Sequence, residues 1–149
     1  MIAVASAGGH WIQLKRLAPA LPPDTIWVST SPGHRDVVAP ARFFRVPDAN
    51  RWNKLGLAWS AIRIAGLVLS LRPTHVITTG AAPGWLMLVL ARMMGARALW
   101  IDSIANAEQL SMSGMKARRW ANRVWTQWPD LVQDASSDGV AVEHHGSVL

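Results

Sequence analysis

The residues best suited to chemistry form the turn Ser-Ala-Gly-Gly-His at positions 6–10. Its two glycines let the backbone come close to a ligand, and the start of a following helix would direct free N–H groups and positive potential at an anion. A neutral imidazole at His10 could take a proton from a hydroxyl group as a general base. We therefore predict Ser6, Gly8 and Gly9 as substrate-binding residues and His10 as a candidate base. A tight packing turn and a capping histidine are the alternatives.

Two further turns carry small and polar residues after apolar segments. Residues 78–84, Thr-Thr-Gly-Ala-Ala-Pro-Gly, also permit a ligand to approach the backbone closely and lead into a second predicted helix. The polar side chains at 102–111 can hydrogen-bond a sugar or a pyrophosphate. The substrate-binding residues predicted from these turns are Thr79, Gly80, Ala81, Gly84, Asp102, Ser103, Asn106 and Ser111. Ordinary strand-to-helix turns and helix caps would use the same residue types.

Several other chemistries are disfavoured. The glycine spacing at 6–10 is not GxGxxG, and Ser29 and Thr30 stand where a ribose-binding acid would follow the second strand of a dinucleotide site. The chain has no cysteine and no HExxH-like spacing, which disfavours a thiolate metal site, a cysteine nucleophile and a built-in metal. We predict no cofactor and no metal.

The elements that must position these turns alternate between strands and helices. Short apolar segments predict strands at 2–6, 25–29, 42–46, 75–79, 98–102 and 124–127. Longer segments between them predict helices at 10–21, 53–72, 83–94 and 115–123. This alternation, with short connections, indicates an α/β fold with a doubly wound, mostly parallel, Rossmann-like sheet. The turns would then share the carboxyl edge of the sheet, where ligands bind.

The predicted helix 53–72 is apolar around most of its circumference. Such a helix is usually buried. The alternative is an interfacial helix, for which the predicted membrane contacts are Trp52, Lys54, Trp59 and Arg63. Its apolar run 55–71 has Arg63 near the middle, so we do not expect a transmembrane helix, and no targeting segment precedes the first strand.

Basic residues dominate most of the chain. Residues 1–128 hold all 15 Lys and Arg but only five acids, a formal charge of +10, whereas residues 129–149 hold four acids and no base. The natural partners of such a body are phosphates, an anionic membrane or nucleic acid. The basic residues are scattered, which disfavours nucleic acid; nucleic-acid binding would show a steep salt dependence. We predict a Rossmann-like domain at 1–128 and an acidic surface arm at 129–149, which is a candidate segment for docking onto a partner.

Four stretches carry a resemblance to a known family: SAGGHWIQL (6–14), PTHVITTGAAPG (73–84), WIDSIANAEQLSMSG (100–114) and VWTQWPDL (124–131). In this order they resemble the small membrane-recruiting subunit of the two-component UDP-N-acetylglucosamine transferase of dolichol-linked glycan assembly. They are also similar to its bacterial counterparts in exopolysaccharide and capsule synthesis. Asp102 stands where many relatives have Glu, which puts an acid–base role for it in doubt.

The resemblance implies the amino-terminal half of a GT-B glycosyltransferase. That half would bind a polyprenyl-diphosphate-linked acceptor, and a second subunit would bind the UDP-sugar. We expect a peripheral protein at the cytoplasmic face of the membrane, inactive alone, with Gln127 and Trp128 as partner contacts. The donor sugar stays open, because bacterial relatives differ in it. The alternative is a non-catalytic scaffold that recruits a catalytic partner to the membrane.

Overall fold

Seven parallel strands form one sheet in the computed structural model, which describes residues 1–48 and 54–148. The strand order is β3-β2-β1-β4-β5-β6-β7. The chain therefore builds outward from β1 in one direction, returns, and continues from β4 in the other. The strands are β1 Ile2–Ala5, β2 Ile26–Ser29, β3 Phe43–Arg45, β4 His75–Thr78, β5 Arg97–Ile101, β6 Arg123–Thr126 and β7 Val142–His144.

Helices pack on both faces of this sheet, which confirms the predicted doubly wound α/β class. They are α1 Gly9–Arg16, α2 His34–Val38, α3 Lys54–Leu71, α4 Ala81–Met93 and α5 Met112–Ala117. Successive side chains of a strand face opposite sides. In β1, Ile2 and Val4 pack in a cluster that holds buried residues of α3 and α4, whereas Ala3 packs in the cluster that holds Trp11 of α1. The central strands are apolar on both sides for this reason.

Helices α3 and α4 lie within two residues of their predicted bounds, and the other three helices differ more. Helix α1 ends at Arg16 and a short 3-10 helix, Ala18–Ala20, follows it, because Pro19 has no N–H with which to continue an α-helix. Helix α5 begins three residues earlier than predicted, because the hydroxyl of Ser111 accepts a hydrogen bond from Gly114 N at 2.8 Å and caps the start of the helix. It also ends earlier than predicted, at Ala117. Helix α2 was not predicted, since it has only five residues.

The predicted acidic arm contributes a strand to the sheet. Val142–His144 forms β7 and pairs in parallel with β6. The buried Arg118 holds the irregular connection in place: its guanidinium donates to Val140 O at 3.0 Å, Gln133 Oε1 at 2.6 Å and Asp134 O at 3.1 Å. Residues 129–149 are therefore not wholly a surface arm, although their acidic side chains other than Glu143 are exposed.

Helix α3 is buried along one stripe and exposed along another. Ser60, Ile64 and Val68 are buried, whereas Trp59 and Arg63 are exposed. The helix is therefore not buried around its whole circumference, and its membrane contact stays a prediction. Two of the predicted membrane contacts cannot be placed: Trp52 lies outside the described residues, as does the side chain of Lys54. In the part of the chain that the structure describes, no helix is long and apolar enough to cross a membrane.

Candidate functional site

The three turns singled out in the sequence converge at the carboxyl edge of the sheet. The glycine turn follows β1, the second turn follows β4, and these two strands are neighbours. The turn at 102–111 follows β5, the next strand along. Strand order reverses between β1 and β4, and in open α/β sheets the crevice at such a reversal is where ligands bind. The structure therefore brings the predicted residues to one edge.

His10 is held by the turn after β4. Its Nδ1 lies 2.8 Å from the carbonyl oxygen of Thr79, and the Thr79 hydroxyl donates to the carbonyl oxygen of His10 at 2.6 Å. A carbonyl oxygen only accepts, so the hydrogen bond requires the proton of a neutral ring to sit on Nδ1. Nε2 then keeps its lone pair. This is the protonation state that a general base needs, because the remaining nitrogen can accept a proton.

Gly80 makes room for the His10 ring. A Cβ at position 80 would lie 2.7 Å from Cε1 of His10 and 2.8 Å from its Nδ1, closer than real Cβ atoms come. The backbone at Gly80 has φ +130° and ψ −167°, a conformation that is essentially reserved for glycine. Two independent features therefore require glycine at position 80: the space that the imidazole occupies and the backbone conformation.

Two helices begin at this edge without a side-chain cap. Gly8 is the N-cap of α1 and Gly80 that of α4, and neither N-cap residue supplies a side-chain hydrogen bond to its helix. The first N–H groups of a helix have no partner within the helix, and they carry partial positive charge. The edge therefore offers two groups of donors to an anion, on either side of His10.

An open cleft of about 270 Å³ lies beside His10. Five of the predicted site residues line it, and Ala105, Met112 and Ser113 complete the lining; the five are His10, Ala81, Ser103, Asn106 and Ser111. Gly8 and Gly9 are exposed on the α1 side of the same edge. Side-chain hydroxyls, an amide and an imidazole around one cleft are suited to hydrogen-bonding a polyhydroxylated ligand.

Asp102 is buried next to the cleft and holds Ser111, which lines it. It is 2% exposed, and its carboxylate accepts hydrogen bonds from Trp100 Nε1 at 3.1 Å, Ser111 N at 2.7 Å and Ser111 Oγ at 2.5 Å. Gly114 leaves the space for this arrangement, because a Cβ there would lie 2.8 Å from an Asp102 oxygen. The structure thus gives Asp102 a positioning role in place of the predicted direct contact with substrate.

Besides Asp102 and Gly80, three more predicted ligands are buried. Thr79 bonds His10, and Gly84 allows α4 to pack on β4, since a Cβ at Gly84 would collide with the Thr78 hydroxyl. Ser6 is almost covered, and its hydroxyl makes only a long bond to its neighbour Ala7. These residues shape the edge from within.

The two predicted partner contacts differ in their surroundings. The Gln127 side chain is buried: its Nε2 donates to Asp102 O at 3.4 Å and its Oε1 accepts from Val148 N at 2.7 Å. It ties the carboxyl-terminal tail to the sheet, so it is not placed to touch a partner. Trp128 is half-buried and donates from Nε1 to Ile104 O at 2.9 Å. Its ring remains a predicted partner contact.

Sequence reasoning missed a second group of side chains at this edge, after β2 and β3. The Thr30 hydroxyl accepts from Ala7 N at 3.0 Å and so holds the glycine turn, while the exposed Arg45 donates from Nε to Thr30 O at 3.2 Å. His34 stacks on Trp11 with ring centroids 4.1 Å apart, and burial lowers the pKa of His34 below its usual range. The one feature of the sequence that could have indicated this group is the position of Thr30, directly after a predicted strand.

A larger cavity lies away from this cleft. It measures about 530 Å³ and opens on the sheet face that also carries α1. Apolar side chains such as Leu21, Leu99 and Trp125 line it, with Arg97 and Arg123 among the polar members. None of the predicted site residues belongs to it. Within residues 1–48 and 54–148, no group of three His, Asp or Glu could hold a metal ion.

Comparison with known proteins agrees with the resemblance drawn from the motifs. No family model matches the chain. The chain is 35% identical over 82 residues to the UDP-N-acetylglucosamine transferase subunit ALG14 of Eremothecium gossypii. The match covers 51% of this chain and 37% of that protein, so the chain spans well under two thirds of this relative.

Solved structures share the fold. MurG of Acinetobacter baumannii matches 95% of this chain and 44% of its own, with a TM-score of 0.71 and 16% identity. A glycosyltransferase from Rickettsia africae ESF-5 matches 85% of this chain and 36% of its own, with a TM-score of 0.57 and 16% identity. The UDP-GlcNAc 2-epimerase of Methanocaldococcus jannaschii matches 84% and 38%, with a TM-score of 0.58 and 10% identity. By sequence this chain is similar to a subunit of a UDP-N-acetylglucosamine transferase, and by fold to part of larger glycosyltransferase and epimerase chains.

Proposed function

We propose that the chain is the acceptor-binding, membrane-associating subunit of a split GT-B glycosyltransferase. The enzyme moves a sugar from a UDP-sugar to a polyprenyl-diphosphate-linked acceptor in polysaccharide biosynthesis, at the cytoplasmic face of the membrane. The similarity to the ALG14 subunit and the fold shared with two glycosyltransferases support this proposal. The epimerase neighbour has a similar fold and a different reaction, so the fold alone does not identify the activity and the site has to.

The observation that carries the proposal is the geometry of His10. Its Nδ1 is engaged by the Thr79 carbonyl at 2.8 Å, which leaves Nε2 as the acceptor beside a cleft lined by hydroxyls and an amide. In the proposed reaction an acceptor hydroxyl oxygen attacks the anomeric carbon of the sugar. The bond from that carbon to UDP breaks, UDP leaves, and the hydroxyl proton passes to Nε2. A positioned base of this kind contributes roughly 10²–10⁴-fold to a rate.

The acceptor diphosphate fits the uncapped helix starts. The N–H groups that follow Gly8 and Gly80 lie at the same edge as His10, and helix starts favour anionic oxygen atoms. In this proposal the backbone donors of the two helix starts supply the attraction for the diphosphate oxygens. The exposed Arg45, bonded to Thr30 beside the glycine turn, adds positive charge.

A second chain supplies the donor site in this proposal. The structural match covers 44% of the MurG chain, and the sequence match covers 37% of the ALG14 protein. The apolar groove of about 530 Å³ adds a physical reason to expect a partner, because parallel sheets are normally covered on both faces. Trp128 remains a predicted partner contact in this arrangement.

Membrane association runs through α3 in this proposal. Trp59 and Arg63 are both exposed on it, an aromatic ring and a cation of the kind that interfacial helices place at lipid headgroups. Because the acceptor is lipid-linked, the enzyme has to work where its substrate is held.

Substitution of His10 tests the proposal. In the two-chain enzyme, His10→Ala should lower kcat by at least about 10²-fold, because the proton acceptor is removed. His145→Ala is the matched control: it removes an exposed imidazole from the tail and should leave kcat unchanged. If His10→Ala keeps full activity in a folded complex, His10 is not the base.

A non-catalytic scaffold is the second candidate. The hydrogen bond to Thr79 and the packing against Gly80 would also suit a histidine that only joins two turns. On that hypothesis the partner holds the whole active site, and His10→Ala changes stability and membrane recruitment but not kcat.

A further inference from the structure

Helix α5 and the turn after it expose large side chains along one side and bury small ones along the other, where Arg118 is the one large buried side chain. Residues spaced i, i+3, i+4, i+7 and i+8 share one side of a helix, and in most helices that side is the apolar, buried one. Here the five residues at this spacing are all exposed. They are Met112 (63% exposed), Met115 (54%), Lys116, Arg119 and Trp120 (39%), and we name them the α5 face. The opposite side, held by Gly114, Ala117 and Ala121, is buried.

The charged residues of the α5 face are both cations. Between residues 109 and 128 the sequence has four basic residues and no acid. Lys116 and Arg119 are exposed within the face, and neither forms an ion pair with another described residue. Two flexible apolar side chains, a tryptophan and two cations on one side of a helix match the composition of helices that lie in the headgroup region of a bilayer.

This face borders the candidate active site. Met112 lines the same cleft as His10 and Asn106, one residue from the helix cap Ser111. A surface that seats on the α5 face would therefore lie at the mouth of the cleft.

We propose that the α5 face is a membrane-contact surface for an anionic bilayer, distinct from α3. Met112, Met115 and Trp120 enter the interfacial layer, and Lys116 and Arg119 meet lipid phosphates. The inference deepens the proposed function and rests on it, because a cleft that opens beside this face receives a lipid-linked diphosphate where the headgroups lie. Charge complementarity selects the occupant: a cationic face with exposed apolar residues attracts an anionic lipid surface.

A single label provides the direct test, because the chain has no cysteine of its own. The full chain carrying Met115→Cys is labelled with an environment-sensitive fluorophore. It is then mixed with phosphatidylcholine vesicles that contain about one third phosphatidylglycerol. Met93→Cys is the matched control, a 69% exposed methionine at the far end of α4. We expect a blue shift and a rise in intensity at position 115 and neither at position 93.

Vesicle co-sedimentation gives the second readout. The double variant Met112→Gln with Met115→Gln should bind about tenfold more weakly, whereas Met93→Gln with Met94→Gln should bind like the parent chain. Lys116→Gln with Arg119→Gln should lose about fivefold for each charge on anionic vesicles and nothing on phosphatidylcholine alone. All of these side chains are exposed, and circular dichroism confirms that each variant folds.

The outcomes separate this inference from the proposed function. If the label at 115 stays in water while the chain binds vesicles and Trp59→Ser abolishes that binding, contact runs through α3 and the α5 proposal is wrong. If the label is buried by a co-purified protein chain and not by vesicles, the face is a protein interface and the proposal is again wrong. If no vesicle binds the chain at all, the membrane role in the proposed function fails with it.

Discussion

Replacing Gly80 by alanine should displace the His10 ring while leaving the histidine itself in place. The new Cβ would start 2.7 Å from Cε1 of His10, whereas an ordinary contact needs at least 3.4 Å. The ring must move, and Nδ1 then loses its alignment with the Thr79 carbonyl, 2.8 Å away in the native chain. Misplacement of a catalytic group by about 1 Å can cost about 10²-fold in rate. We expect a loss of that size in kcat.

The same substitution should lower stability. Position 80 has φ +130°, and a residue with a side chain in such a conformation costs about 1–3 kcal/mol. Gly95→Ala provides the matched control, since Gly95 has φ +89° but nothing within 4 Å of its would-be Cβ. Gly95→Ala should therefore lose stability and keep activity.

Both variants are measured by thermal denaturation and by steady-state sugar transfer in the two-chain enzyme, below the melting temperature. The comparison isolates the His10 contact, because both substitutions strain the backbone and only one displaces the ring. Folded Gly80→Ala with kcat within about twofold of the parent would refute the reasoning, because the rate would then not depend on the position of His10.

Three further predictions concern stability. Burial lowers the pKa of His34, so the unfolded chain binds a proton at this imidazole more readily than the folded chain does, and the free energy of unfolding should fall as pH drops below about 6.5. In denaturant titrations between about pH 7 and 5, His34→Phe should show a shallower fall than the parent chain. An unchanged slope would contradict this. Asp102→Ala should lower the free energy of unfolding by about 2–4 kcal/mol, since the donors of Trp100 and Ser111 lose their acceptor; a loss below about 0.5 kcal/mol in urea titration would contradict the supporting role. Gln13 is 4% exposed, and its side-chain amide has no hydrogen-bond partner among the described residues. Gln13→Met should therefore raise the melting temperature, by the equivalent of about 1 kcal/mol in the free energy of unfolding. A lower melting temperature would mean that the amide does form hydrogen bonds in the folded chain.

The sequence predicted the fold because the central strands carry an unambiguous signal. Segments such as Ile2–Ala5 and His75–Thr78 are short, carry apolar residues that face both sides of the sheet and are followed by glycine turns, a pattern typical of a covered parallel sheet. The turns after them were placed at one edge on the same argument. Strand β7 escaped prediction because its connection is fixed by Arg118, a residue of a different segment.

The site was predicted by residue type and only partly by role. His10, Ser103, Asn106 and Ser111 do line one cleft. The burial of Asp102 depends on Trp100 and on the helix cap that follows it, and such contacts leave no periodic signal in a sequence. The fit of Gly80 against His10 joins residues that are 70 positions apart, so it emerges only once β1 and β4 are known to be neighbours.

The central claim is that this chain is one half of a split glycosyltransferase, and co-purification from native membranes tests it most directly. The tagged chain is recovered, and the eluate is assayed for transfer of labelled sugar from a UDP-sugar to polyprenyl-diphosphate-linked acceptor. We predict that a second chain co-purifies and that transfer occurs only when both chains are present. Transfer by this chain alone would contradict the split, and recovery of neither partner nor transfer would contradict the proposed activity.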